Sequence, residues 1–184
     1  MRVIAGTRKS IPLKSLPGLN TRPTTDRIKE TLFNMIAMDI PDCRFLDLFA
    51  GSGQIAIEAL SRGARHATLI ENQKEANAII KENIKKTKFE DMATLLERDV
   101  VSGLSTLVGQ KFDVIFMDPP YEMEMENSAL QALIDYDLID DKSLIIVEEK
   151  LNCDFSFAEE MGYIIHKEKC YKTNKHVFLG RKQA

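Results

Sequence analysis

The spacing of apolar and polar positions changes twice along the chain, and each change marks a different kind of element. Through residues 1–23, short apolar pieces, Val3-Ile4-Ala5 and Ile11-Pro12-Leu13, lie between basic clusters and are broken by Gly6, Pro17, Gly18 and Pro23. That pattern predicts a small β-hairpin followed by a loop. From Thr24-Thr25-Asp26 onward, Ile28, Leu32, Met35 and Ile36 recur at helical spacing. Hydroxyls and a carboxylate at the start can accept the free amide hydrogens of a first turn, with Thr24 as a candidate cap. A helix is therefore expected over about 26–38, closed before Pro41.

Strand-like apolar runs and amphipathic helical runs then alternate. Strands are expected at 44–49, 67–70, 94–97, 112–117 and 143–147, and helices at 54–62, 74–86 and 128–136. The helix at 74–86 carries Ala76, Ile79, Ile80 and Ile84 on its apolar side. Repeated β-α units specify a mainly parallel sheet with helices on both faces, because a parallel strand can rejoin the sheet only through a crossover. The end of the chain differs. Strand-like segments at 163–171 and 176–179 are separated by Lys172-Thr173-Asn174-Lys175, too short for a helix, and predict an antiparallel hairpin. The expected fold is a doubly wound α/β domain over 24–184, built on a mainly parallel seven-stranded sheet and preceded by the extension 1–23.

Composition changes this picture little. A chain of 184 residues, 44% hydrophobic and 29% charged, suits one globular domain with its own core. No apolar run approaches the ~20 residues of a membrane-spanning helix, and residues 3–6 are too few for the apolar part of a secretory signal. A cytoplasmic, non-membrane protein is expected. Cys43, Cys153 and Cys170 are isolated and odd in number, with only His66, His166 and His176 beside them, so neither a disulfide framework nor a metal site is expected.

Charge changes it more. The net charge is −3, yet residues 1–29 hold Arg2, Arg8, Lys9, Lys14, Arg22, Arg27 and Lys29 against Asp26 alone, a balance of +6 that leaves −9 on the other 155 residues. A basic arm on an acidic body fits a polyphosphate partner at one end of the molecule. Arg2, Arg8, Lys9, Arg22 and Arg27 are the candidate contacts.

Two loops carry candidate chemistry. Asp47-Leu48-Phe49-Ala50-Gly51-Ser52-Gly53-Gln54 ends one strand and opens a helix, where a glycine turn allows a ligand close to the backbone. Gly51-x-Gly53-x-x-Ala56, with Glu71 twenty positions after Gly51, satisfies a dinucleotide fingerprint, and S-adenosylmethionine can use the same loop. Asp47 favours the second ligand: its carboxylate would repel a pyrophosphate and attract a cationic amino-acid end. No His or Tyr-Lys arrangement for hydride chemistry accompanies the glycines. Candidate cofactor contacts are Asp47, Phe49, Ala50, Gly51 and Gly53, Glu71 at the ribose, Asp99 at the adenine, and their neighbours Asn72 and Val100.

The second loop is Asp118-Pro119-Pro120-Tyr121, after the strand at 112–117. Two prolines fix two φ angles, remove two amide donors and leave a stiff loop rich in acceptors. An amine conjugated to a ring is a poor nucleophile. Hydrogen bonds to the Asp118 side chain and the Pro119 carbonyl would favour a pyramidal nitrogen with its lone pair aimed at a methyl donor, and Tyr121 would stack on the base. Asp118, Pro119, Pro120 and Tyr121 are the candidate catalytic residues.

On these residues the chain resembles the RsmD-like family of bacterial 16S rRNA guanine-N2 methyltransferases, within the class I methyltransferases that use S-adenosyl-L-methionine. The resemblance rests on Arg2 to Gly6, Arg22 to Asn34, Asp47 to Gly53 and Asp118 to Tyr121, and covers nearly the whole chain. It implies methylation of a guanine amine in 16S rRNA or a small-subunit assembly intermediate, by a monomer whose amino-terminal hairpin grips RNA. Phe49 departs from the wider class, where many members place the first glycine. An amino methyltransferase acting on DNA adenine or protein glutamine, and a non-catalytic RNA-binding assembly factor, are the rival readings.

Overall fold

The computed structural model describes residues 1–17, 25–120 and 125–182. Its strands are β1 (Arg44–Leu48), β2 (His66–Glu71), β3 (Ala93–Glu97), β4 (Val114–Met117), β5 (Leu144–Lys150), β6 (Tyr163–Cys170) and β7 (Asn174–Arg181). They form one seven-stranded sheet in the order β3-β2-β1-β4-β5-β7-β6. β1 to β5 run parallel, and β7 pairs antiparallel with both β5 and β6. The parallel sheet and its closing hairpin are those the alternation predicts.

Among the described residues, six α-helices accompany the strands: α1 (Asp26–Met35), α2 (Gln54–Ser61), α3 (Lys74–Thr87), α4 (Val100–Ser105), α5 (Met125–Asp135) and α6 (Ser156–Glu160). Side chains alternate across the sheet and build two cores. Phe45, Phe116, Ile146 and Phe178 join Leu32, Phe33, Ile57 and Ile80 on one face. Leu46, Leu48, Met117 and Val147 join Leu104, Leu130 and Tyr163 on the other. No helix among the described residues is long and apolar enough to cross a membrane.

Several elements depart from the sequence pattern. α4 and α6 escaped it, being 6 and 5 residues long, too short to display a helical period. On α3, Asn77 and Asn83 are buried while Ile79 is half-exposed, so polar residues occupy part of the face assigned to isoleucines. α1 ends at Met35, and its cap is Thr25, whose Oγ1 accepts from the Ile28 amide at 3.2 Å. Thr24 lies outside the described residues.

The amino-terminal hairpin forms: Val3 N–H donates to Ile11 O at 3.0 Å, Ser10 N–H to Val3 O at 2.8 Å, and Leu13 N–H to Met1 O at 3.1 Å. It is also seated in the first core, because Val3 and Leu13 are buried beside Leu32 and Phe33. Ile4 and Ala5 amides donate to the Glu58 carboxylate at 2.8 and 3.0 Å.

Candidate active site

The strand order reverses direction beside β1: β2 lies on one side of it and β4 on the other. Loops leaving neighbouring strands at such a point diverge and leave a crevice above the carboxyl ends. Leu48 is in register with Ile70 on β2 and with Met117 on β4, and Met117 with Val147 on β5. The loop at Phe49, Glu71, Asp118 and Glu148 therefore stand at one level along one edge.

The loop after β1 is held by its own backbone and by two buried acids. Ala50 N–H donates to Ile70 O at 3.0 Å, and Gly53 N–H to Ala50 O at 2.7 Å. Phe49, Gly51 and Gly53 have φ of 64°, 58° and 77°. Left-handed backbone at Phe49 is costly for a residue with a Cβ, and it falls at the position where a glycine is usual in the class. The half-buried Phe49 ring rests on the second core. A Cβ built on Gly51 meets nothing within 4 Å, so open space lies over the loop there.

Asp47 is 2% exposed and lies under this loop, its Oδ2 accepting from the Ala56 amide at 3.2 Å. Gly53 caps α2 without a side chain, so Asp47 supplies the acceptor for the helix's third amide from nine residues upstream. Burial, aided by Glu71, pushes the Asp47 carboxyl up to about 8 against the Ala56 bond. A cation beside it would favour the ionised form.

Glu71 binds three amides: Gly51 through Oε2, and Asn72 and Gln73 through Oε1, each at 2.9 Å. A carboxylate offers about four acceptor positions, so Glu71 shapes the loop and keeps little free capacity for a ribose. Nearby, the Asn77 amide donates to Glu71 O at 3.2 Å, and Asn77 Oδ1 is buried with no partner. A buried acceptor of this kind is rare unless something else satisfies it. Asn77 is therefore a buried polar residue beside Glu71 that the sequence reading did not single out. Its signal in the sequence was a polar residue next to the apolar face of an amphipathic helix.

Asp99 caps α4, accepting from Ser102 N–H at 3.0 Å through Oδ1, and Val100 is buried behind it. Asn72 is exposed. Across the crevice, Asp118 is half-buried, Pro119 buried and Pro120 exposed, while Tyr121 lies outside the described residues. Burial first, then the charges of Glu148, Asp47 and Glu149, raise the proton affinity of Asp118 well above the usual carboxylate range. Beyond it, Glu126, Glu149 and Cys153 bring three possible metal-ligand atoms within 4.8 Å, a juxtaposition invisible in the sequence.

The basic residues divide. Lys9 and Arg27 are exposed, and exposed Arg2 meets Asp26 at 3.3 Å. Arg8 is committed internally: its Nε donates to Thr87 O at 2.6 Å and its guanidinium covers the Phe89 ring at 5.1 Å. Lys29 is fully buried, with Nζ 2.6 Å from Arg2 O and 3.6 Å from Glu58 Oε2. The surface of the arm is less basic than its sequence. Arg22 lies outside the described residues.

A doubly wound parallel sheet closed by an antiparallel hairpin, with a glycine loop and an Asp-Pro-Pro loop at adjacent strand tips, defines a class I methyltransferase, the class whose methyl donor is S-adenosylmethionine. The open space over Gly51, the Asn77 oxygen without a partner and the carboxyl of Asp47 are chemically suited to a ligand with ribose hydroxyls and a cationic amine, both of which donate hydrogen bonds. The model of the family described as "Conserved hypothetical protein 95" matches residues 1–179, and the chain belongs to that family. It is 40% identical over 151 residues to "Putative rRNA methyltransferase YlbH" of Bacillus subtilis (strain 168), spanning 80% of this chain and 82% of that one. It is 37% identical over 153 residues to "Ribosomal RNA small subunit methyltransferase D" of Escherichia coli (strain K12), spanning 82% and 75%. Among solved structures, "Putative methyltransferase yhhF from Escherichia coli" superposes with a TM-score of 0.84 at 32% identity, covering 100% of this chain and 99% of that one.

Proposed function

We propose that this protein transfers a methyl group from S-adenosylmethionine to the exocyclic N2 amine of a guanine in 16S rRNA, acting as a cytoplasmic monomer on the RNA or on a small-subunit assembly intermediate. The observation that carries this reading is the pairing of the Gly51 loop and the Asp118-Pro119 loop on either side of the switch point, level with each other. Relatives named as small-subunit rRNA methyltransferases support it.

When bound, the donor supplies a methyl group on a sulfonium, already electrophilic enough to need no metal. The chain's own work is at the amine. Asp118 and the Pro119 carbonyl accept hydrogen bonds from its two N–H groups, which localises the lone pair and aims it along the line of displacement, and the methylated nitrogen then sheds one proton to solvent. Tyr121 stacks on the base and sets its plane, which requires the guanine to leave its neighbours in the RNA. Exposed Lys9 and Arg27, with Arg2 and Arg22, meet phosphates. Asp47 and Glu71 hold the donor loop, and Asp99 with Val100 borders the adenine.

The test is methyl incorporation from labelled donor into small subunits purified from a strain lacking the enzyme, followed by mass mapping of the modified nucleotide. Label on a guanine N2 is expected. Asp118→Ala should cut the transfer rate by about 10²-fold or more while donor affinity stays within a few-fold. Label on an adenine or on a protein amide, or parent-rate transfer by a folded Asp118→Ala, would refute the reading.

A further inference from the structure

Two acids, Glu126 and Glu149, are buried in the apolar seam between α5 and the sheet, and neither has an ion pair among the described residues. Along β5, alternation sends Ile145 and Val147 into the second core, and Glu149 falls on the same side. On α5, Glu126 lies three and four residues before Ala129 and Leu130, so it shares their buried stripe. The chain turns after β5, with Cys153 N–H donating to Lys150 O at 3.2 Å, and brings the half-buried Cys153 back against the same core. One oxygen from each carboxylate and the Cys153 sulfur then lie within 4.8 Å of one another.

Glu126 carries the argument beyond a cluster of acids. It is 9% exposed, its carboxylate is one of the three converging donors, and no hydrogen bond or ion pair among the described residues satisfies it. A buried carboxylate in that state is costly unless a cation answers it. Glu149 is bonded through Oε1 alone, to Lys150 N–H at 2.8 Å. The ammonium of Lys175 gives its bonds elsewhere, to Cys153 O at 2.7 Å and Glu168 Oε1 at 3.0 Å. Lys150, Lys175 and Asp154 are the other charges that act on the group.

We propose that Glu126, Glu149 and Cys153 form a binding site for a thiophilic divalent cation, with zinc as the ion whose chemistry they suit. A sulfur ligand disfavours magnesium and calcium, which take oxygen, whereas zinc accepts thiolate and carboxylate together. Ligand atoms around tetrahedral zinc stand about 3.3–3.7 Å apart, so side-chain rotations that draw the three atoms in by at most about 1.5 Å complete the site. Binding breaks the Cys153 S–H bond, forms a zinc–sulfur bond and sends the proton to solvent. The ion with its thiolate and two carboxylates carries one net negative charge, which Lys175 offsets. Three protein ligands leave a fourth position for water, reached from the half-exposed cysteine. The ion clips the start of α5 to the end of β5, and methyl transfer is not routed through it.

The experiment is a zinc titration of the purified, chelator-stripped chain, with bound metal read by atomic emission, and a parallel titration with cobalt(II). About one ion per chain is expected, and the cobalt form should show the near-ultraviolet charge-transfer band that a thiolate ligand gives. Cys153→Ser and Glu126→Gln should each weaken zinc binding by about 100-fold or more. Cys170→Ser, at an exposed cysteine outside the group, should leave it unchanged. Should a variant fail to fold, the parent alone decides, because bound zinc should protect Cys153 and not Cys170 from alkylation mapped by mass spectrometry. No stoichiometric binding, binding that Cys153→Ser leaves intact, displacement by excess magnesium, or a cobalt form without the thiolate band would overturn the inference. None of these readouts uses methyl transfer, so a chain that binds zinc here and methylates nothing refutes the functional reading alone.

Discussion

Under the amino-terminal arm, Glu58 is fully buried and fully answered: the Ile4 and Ala5 amides, Arg62 Nε at 2.8 Å and the Lys29 ammonium all converge on it. At the strand tips, Asp47 is as deeply buried and rests on one amide, Asn77 Oδ1 rests on none, and Phe49 holds a left-handed backbone. Both regions bury polar groups beside α2. The first has spent its hydrogen-bonding capacity on the fold, which is what a structural network does. The second has kept its capacity in reserve at a cost in stability, as a surface built for a ligand must. The Asn83 side chain joins the two, taking the Lys14 amide at 2.8 Å and donating to both Lys14 O and Ser52 O at 3.0 and 2.9 Å.

Substitutions should break this contrast in opposite directions. The largest effect is expected from Glu58→Ala, which strands the Lys29 charge in the core and releases two arm amides. Loss of a partner from a buried pair costs about 3–5 kcal/mol, to be read as a lower denaturation midpoint at neutral pH. A loss below about 1 kcal/mol would show that the arm is a loose appendage after all.

Asp47→Asn should act with the other sign. Because the carboxyl titrates at about 8 in the fold and near 4 when unfolded, the folded chain holds a proton that the unfolded chain releases. That contribution to stability is complete below about pH 4 and is lost as the pH rises toward 8. Asparagine keeps an acceptor for Ala56 and carries no such penalty, so at pH 8 it should be the more stable protein by on the order of a few kcal/mol. Donor affinity should fall, since the cationic end loses its counter-charge. Melting curves at pH 5 and 8 check the first point and calorimetric titration with donor the second. Asp118, raised in the same direction, would leave a residual slope.

The smallest stability change is expected from Gly51→Ala. Its φ of 58° makes a Cβ unfavourable by about 1 kcal/mol, and no neighbour is displaced because nothing lies within 4 Å. The same methyl projects into the space assigned to the donor, so donor affinity should suffer more than the melting temperature. Equal affinity in parent and variant would move the donor away from this loop.

The difference between the two regions also explains what could be read early. Asp47, the glycines and the Asp118 loop were legible because glycine and proline announce their backbone geometry wherever they occur. The fate of the charges was not. Lys29 and Arg8 read as surface cations, yet one is buried against Glu58 and the other lies across Phe89, residues 29 and 81 positions away. Asp47 read as the counter-charge of a cationic ligand, and nothing in the sequence showed that it is also a buried acceptor for the Ala56 amide.

Periodicity, turn stereochemistry and the alternation of strand with helix are properties of close neighbours in the chain. By themselves they determined the parallel sheet, its closing hairpin and the edge at which the two functional loops emerge. Which ionisable groups lose their water, and which find a partner, depends on residues brought together from distant positions, such as Lys29 and Glu58. Only the packed tertiary structure decided that, because desolvation and pairing energies exist only once the sheet and its helices have closed around them.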